Sequence, residues 1–257
     1  IPEEEDKRIQ IQESMINFGI EKRIANEASR RTIAITDDRH EEYNQITNNW
    51  NISNPEGYAV WFEYRTNPGR MITLLEKAQV DDIPLFKRKT PLQKTIQLLK
   101  RHRDKMFQEY EDIKPISIII TTLAARAYNG EDDLIVSLGN ILNNMENYIN
   151  KKKPRVPNPV DPNEDFADRW DMQECKHLQL ERNFRQWLQQ AQNDFANITN
   201  TNDSELITEL AEEKFSLNLN SAELAKQLGV SAAAININTP KAQTITNPAK
   251  PWKIRCK

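Results

Sequence analysis

A mainly α-helical fold is predicted, with a small α/β piece at its amino-terminal end. Three observations predict it. The 257 residues hold only 6 glycines and are rich in Asn, Gln, Lys and Glu, a composition that favours helices over a glycine-rich barrel. Apolar residues recur at helical spacing from Asn54 to about Ile198. A single short β-favouring run, Thr32-Ile33-Ala34-Ile35-Thr36 closed by Asp37-Asp38, stands near the start.

Taken in order, Ile9, Ile11, Met15, Ile16 and Phe18 make a short amphipathic piece that ends near Gly19. With the run at 32–36 it forms the α/β piece, residues 1–53. Asn54-Pro55 opens a helix, because Asn is a capping residue and Pro suits the first helical position. Tyr58, Trp61, Phe62 and Arg65 follow at helical spacing, and Asn67-Pro68-Gly69 stops the segment. Thr90-Pro91 opens a second helix with an apolar face of Leu92, Ile96, Leu99, Met106 and Phe107. Lys100 lies at the edge of that face, where its stem can rest on the core while the ammonium reaches outward.

Residues 113–129 carry two signals. Ile116 to Thr122 has strong β-propensity. Pro115, the helical period of Ile116, Ile119, Ile120 and Leu123, and the alanines at 124, 125 and 127 favour an almost wholly buried helix, which is the expectation adopted. Leu134–Ile149 is a further helix with Leu138, Leu142, Met145 and Ile149 on one face. Pro154, Pro157, Pro159 and Pro162 then impose an extended crossing. An acidic-ended helix is expected after the crossing, where the helix dipole favours Asp and Glu. A long helix from Gln173 to about Ile198 and shorter ones at 203–214 and 221–228 complete a helical lobe, residues 54–233. Residues 234–257 alternate Ile, Asn, Thr and Pro without a period and are expected to be extended or disordered.

The charges exclude some functions. A net charge of −3 provides no global basic field for long nucleic acid. Lys87-Arg88-Lys89, Lys100-Arg101 and Lys151-Lys152-Lys153 are local basic runs, each accounted for more plainly as a solvated turn. Cys175 and Cys256 have no metal-ligand spacing and form no disulfide framework, which fits a reduced, cytoplasmic setting. No apolar run approaches the ~20 residues of a membrane span. Ile1-Pro2-Glu3-Glu4-Glu5 is not a signal peptide and lacks an initiator Met, as expected of the middle of a longer chain.

Four segments occur in a telling order: Trp50-Asn51-Ile52-Ser53-Asn54-Pro55-Glu56-Gly57-Tyr58 with Trp61-Phe62; Thr90-Pro91-Leu92-Gln93 with Leu98-Leu99-Lys100-Arg101-His102-Arg103-Asp104; Lys114-Pro115-Ile116-Ser117 through Ala125; and Asn158-Pro159-Val160 with Glu164 through Trp170. Each is weak alone. Together they resemble the carboxy-terminal half of the CD-NTases, the nucleotidyltransferases of bacterial CBASS anti-phage defence. The resemblance covers roughly residues 1–200. It implies the helical lobe of a nucleotidyltransferase-fold enzyme, with residues 1–53 a remnant of the core. The implied activity is synthesis of a cyclic di- or trinucleotide second messenger from nucleoside triphosphates, with Mg2+ held by acids on a strand after a Gly-Ser motif.

The chain departs from that pattern. No Gly-Ser motif followed by paired acids is found, and Asp132-Asp133-Leu134 begins a helix instead. The magnesium ligands are therefore expected upstream, the chain is expected to start just after the acid-bearing strand, and it is expected to be inactive alone. What remains by resemblance is a donor-triphosphate wall. A Lys on one helix and a Ser opening the next match Lys100 and Ser117, an ammonium suited to phosphate and a hydroxyl at the positive end of a helix. The plainer accounts are a surface lysine and a small core-facing serine.

Other features weigh less. His102-Arg103-Asp104 superficially matches a kinase catalytic loop but lacks the following Asn and lies in a helix; Arg103 and Asp104 are expected to form surface ion pairs. Asp161, Glu164, Asp165 and Asp168 could form a metal site, and Trp50, Tyr58, Trp61 and Phe62 a base platform, although structural roles account for both sets better. Ser221 to Ser231 resembles the first helix and turn of a helix-turn-helix, but the following segment has no Lys or Arg for phosphates, so sequence-specific DNA binding is not expected. A third reading is a non-catalytic interaction module. Its tail, ending Trp252-Lys253-Ile254-Arg255-Cys256-Lys257, would be held by an accessory protein of the kind that acts beside CD-NTases.

Overall fold

A computed structural model describes residues 2–35, 51–76, 89–201 and 203–215. The fold is mainly α, as expected. It divides into two compact units: residues 1–95 with 118–168, and residues 96–117 with 169–257. Asp37-Asp38, the segment 221–231 and the tail lie outside the described residues. No described helix is long and apolar enough to cross a membrane.

In the first unit, α1 (Pro2–Asn17) ends where Gly19 takes a positive φ of 85°. It packs on α2 (Lys22–Ser29), burying Met15, Ile24, Ala25 and Ala28. The short strand β1 (Ile33–Ile35) pairs antiparallel with β2 (Asn51–Ser53), with Ala34 opposite Ile52. Asn54 then caps α3 (Pro55–Thr66): its side-chain oxygen accepts from the Gly57 N–H at 2.9 Å, and its amide donates to the Ala28 carbonyl at 2.8 Å. One buried side chain thus starts α3 and ties it to α2.

The helix opened at Asn54-Pro55 stops at Asn67 as expected, but a further helix that the sequence reading did not anticipate follows at once. Pro68 is the first residue of a new helix, α4 (Pro68–Glu76). The same proline that cannot continue one helix suits the first turn of the next. After α5 (Pro91–Met106), opened by reciprocal bonds between Thr90 and Gln93, the chain enters α6 (Ser117–Ala127). The helical period prevails over β-propensity here: Ile119, Ile120, Leu123, Ala124, Ala125 and Ala127 are all buried. The first unit holds the far end of α6 through Arg65, which donates to the carbonyls of Ala125 at 2.8 Å and of Tyr128. These are carbonyls that the helix itself cannot satisfy.

Asp133 caps α7 (Leu134–Asn144) through the N–H groups of Ile135 and Val136 at 2.8 and 3.0 Å, and a 3-10 turn at Met145–Tyr148 follows. The proline crossing is extended as predicted, but the acidic helix after it is not present. Asp161–Asp165 is strand β4, paired with β3 (Pro157–Asn158), and Asp168–Trp170 is only a 3-10 turn. Asp165 explains the difference: its carboxylate accepts the N–H groups of Arg155, Val156 and Ala167 at 2.7, 2.9 and 2.9 Å, which fixes a tight ribbon.

In the second unit the expected long helix is broken. Gln173–Leu178 is a 3-10 stretch, Gln179 turns left-handed at φ 49°, and α8 (Leu180–Asn200) begins after it. α8 buries Phe184, Trp187, Leu188 and Ala191 and packs on α9 (Ser204–Phe215), which buries Ile207, Ala211 and Phe215. Cys175 is buried and disulfide-bonded, contrary to the reduced thiol expected from sequence.

Candidate functional site

The residues that matter lie on the second half of α5 and the turn into α6, within the second unit. The core face of α5 has buried Leu92, Ile96 and Leu99, and the next position on that face is Arg103. Arg103 forms the expected ion pair with the exposed Asp104, but it is itself only 5% exposed and so is not a surface residue. Met106, assigned to this face, is instead exposed, while Phe107 just past the helix end is buried.

A buried guanidinium needs partners, and each nitrogen of this one has at least one. Its Nε and Nη2 both donate to Asp104 Oδ1, at 3.0 and 2.7 Å. Its Nη1 donates to the Pro115 carbonyl at 3.0 Å and to Ser117 Oγ at 2.9 Å. Lys114 lies 3.7 Å from the same Asp104 oxygen and pairs with Glu111 at 2.6 Å. Of the residues named from sequence, one touches this guanidinium and the other precedes it on the same helix. Ser117, the first residue of α6, accepts from it, and Lys100 lies one turn before it on α5.

Lys100 is half-buried. Burial pushes its ammonium below the usual lysine range, the nearby Arg103 guanidinium pushes in the same direction, and Asp104 partly offsets both. Among the described residues, no group accepts a hydrogen bond from this ammonium. A partly desolvated cation beside a second cation is a place where an added anion is favoured. Ser117 adds a hydroxyl at the positive end of an eleven-residue helix.

The other sequence candidates have structural roles. Tyr58 packs against Trp61 and Phe166, with ring centroids at 5.2 and 6.0 Å, and its hydroxyl lies 2.9 Å from Thr122 Oγ1, so it is part of the core and not a base platform. Burial raises the Tyr58 phenol well above the usual tyrosine range. Trp50 lies outside the described residues. In the acidic ribbon, Asn158 donates to Glu164 at 2.6 Å, Asp165 is saturated by backbone N–H groups, and burial raises the Asp161 and Glu164 carboxyls. Among the described residues, no three metal-ligating side chains come together. The described residues therefore do not fit a magnesium site, and no step is assigned to the ion here.

His102 and Asp194 form a further buried pair that sequence reasoning missed. Nε2 of His102 lies 3.0 Å from Asp194 Oδ2, and Gln190 donates to the other carboxylate oxygen at 3.0 Å. The His102 ring packs on Phe215 with centroids 5.0 Å apart. Burial lowers the imidazole from its usual range, while Asp194 works against that shift. This pair anchors α5 to α8 and α9 inside the second unit. A surface groove lined by Trp170, Leu180, Arg182 and Arg185 does not include Lys100 or Ser117, and its arginines are engaged by Gln179 and Glu181.

No family model matches the chain. Among curated proteins it is similar to one named c-di-GMP synthase from Roseivirga ehrenbergii, 36% identical over 145 residues. The match covers 54% of this chain and 36% of that protein, so the chain spans about a third of the relative it matches.

Proposed function

We propose that this chain supplies the donor-triphosphate wall of a cyclic-dinucleotide synthase of the CD-NTase type, acting in anti-phage defence. One observation carries the reading. Lys100 is a half-buried cation with no hydrogen-bond acceptor among the described residues, one helical turn from the buried guanidinium that holds Ser117 at the start of α6. A triphosphate offers what that corner lacks: dense negative charge and oxygens that only accept. The name of the Roseivirga relative supports a cyclic dinucleotide product and makes GTP the first ligand to test. In this reading Mg2+ and the acids that hold it belong to the opposite wall of the cleft, and an accessory protein could engage the tail.

Lys100→Ala in the complete enzyme is expected to weaken GTP binding by about tenfold or more, as loss of a charge-assisted contact of ~1.5–3 kcal/mol implies. Titration calorimetry with GTP would measure it. Unchanged affinity in a folded variant would remove Lys100 from the site.

A further inference from the structure

We propose that Arg126 and Arg65 form an anion site in the first unit, where a phosphate group accepts from the unpaired N–H groups of Arg126. Every residue of the site belongs to that unit, and Lys100 and Ser117 take no part in it. Arg126 stands in the last turn of α6. Its guanidinium lies over the Phe18 ring, just past α1, at 4.3 Å, and over the Tyr148 ring, in the 3-10 turn after α7, at 5.1 Å. The rings pack on the cation and attract it, but a ring carries no net charge and accepts far more weakly than an oxygen. Among the described residues, no oxygen accepts from Arg126. Its Nη1 is fully covered without a hydrogen-bond partner, while the side chain as a whole keeps some exposure. Arg103 is the opposite case: there each nitrogen of a buried guanidinium is engaged in holding the fold.

Arg65 adds a second positive charge. Its Nε and Nη2 are spent on the carbonyls of Ala125, Arg126 and Tyr128. Burial lowers the Arg126 guanidinium from its usual range, the Tyr148 hydroxyl opposes that shift, and the Arg65 charge adds to it. Tyr148 also acts on Arg65, so its hydroxyl stands near both cations. Glu131 attracts Arg65 without pairing with it, because its carboxylate is taken by the Asn129 N–H at 3.1 Å and the Asn140 amide at 2.6 Å. Two neighbouring cations, one with a covered and unmatched N–H group, are short of negative charge, and an oxyanion that accepts at several oxygens supplies it. A carboxylate would bring one charge. A phosphate brings up to two, which matches two guanidinium groups.

The test is thermal melting of the complete protein with inorganic phosphate as the probe and chloride holding the ionic strength constant. A Lys100→Ala background keeps the other corner from reporting. Phosphate that binds the folded state raises the melting temperature. Arg126→Gln is expected to weaken the affinity read from that shift by about tenfold, the scale of one charge-assisted contact. Without phosphate the variant is expected to melt no lower than its parent, because it removes a cation that lacks a protein counter-charge. An equal phosphate response in both proteins overturns the proposal, since a general salt effect on burial would then account for the shift. Acetate provides a second arm. If it gives the same Arg126-dependent shift, the site takes carboxylates and the phosphate assignment is wrong. Should Arg126→Gln fold poorly, Arg126→Lys keeps the charge and the stem but has only a point donor, and a several-fold loss of phosphate affinity is expected. Unchanged affinity in that variant overturns the proposal equally.

Discussion

Single side chains in this molecule show two different uses of buried charge. Arg103 is buried and matched, whereas Glu63 is buried and unmatched: it is 5% exposed and its Oε1 has no hydrogen-bond partner. Burial raises the Glu63 carboxyl above the usual range, and Arg70 only partly opposes this. A raised folded-state pKa means that the unfolded chain ionises first, so stability is full at low pH and is lost as pH rises from the ordinary carboxylate value through the raised one. Glu63→Gln is therefore expected to raise the melting temperature at pH 8 by roughly 2–4 °C, the effect of about 1 kcal/mol in a chain of this size. The gain should shrink towards zero near pH 4, and thermal melts across that range would detect it. An equal gain at both ends would mean that charge at Glu63 is not the cause. The place of Arg103 was legible in principle, since Leu92, Ile96, Leu99 and Arg103 follow one helical stripe. It was missed because a charge in an apolar stripe is usually at its edge, and nothing local announces that Pro115 and Ser117 will return to meet it.

At the scale of elements, caps decided what was readable. Asn54-Pro55 and Thr90-Pro91 carry their own start signals, and α3 and α5 begin where the sequence places them. The stop of α3 at Asn67 was read as well, but a proline after a helix is also a first-turn residue for the next, and α4 went unseen. The acidic ribbon was misread because Asp165 serves backbone N–H groups ten residues back, a contact that no window of local propensity contains. The left-handed Gln179 breaks a helix pattern that is otherwise continuous in its apolar period. The N-terminus of α3 also yields a prediction opposite in sign to simple propensity. Alanine in place of an interior helical glycine ordinarily gains about 1 kcal/mol. A Cβ at Gly57, however, would lie 2.3 Å from Asn54 Oδ1 and 2.4 Å from its amide nitrogen. Gly57→Ala must displace the side chain that both caps α3 and holds the Ala28 carbonyl, so it is expected to destabilise by ~1–2 kcal/mol, the cost of a lost cap. Urea unfolding would read this as a lower midpoint with an unchanged slope; a raised midpoint would show that the cap tolerates the methyl group.

For the whole molecule, composition reported helix content and local sequence reported most of its segments, but the residues that point to a function lie in one corner of one unit. In the proposed reading that corner holds a triphosphate and performs no transfer. Lys100, Arg103, Lys114 and Ser117 are donors, and a wall made of donors can hold and orient a triphosphate without activating the hydroxyl that attacks it. Activation by metal ions requires several carboxylates converging on one point. Among the described residues the acids are instead dispersed: Asp104 clamps Arg103, Asp133 caps α7, Asp165 gathers backbone N–H groups and Asp194 pairs with His102. Each of these four carboxylates is already engaged in holding the fold, so recruiting one to a metal would break a contact the fold uses. The 257 residues by themselves, incubated with GTP, ATP and magnesium, are therefore expected to yield no cyclic product, while the same preparation still binds tripolyphosphate and loses that binding as salt is raised. Chromatography of the nucleotides after overnight reaction would decide it. Cyclic product would mean that acids outside the described residues, such as Asp37, Asp38, Asp81 or Asp82, complete a metal site, and that this chain contains both walls of the cleft.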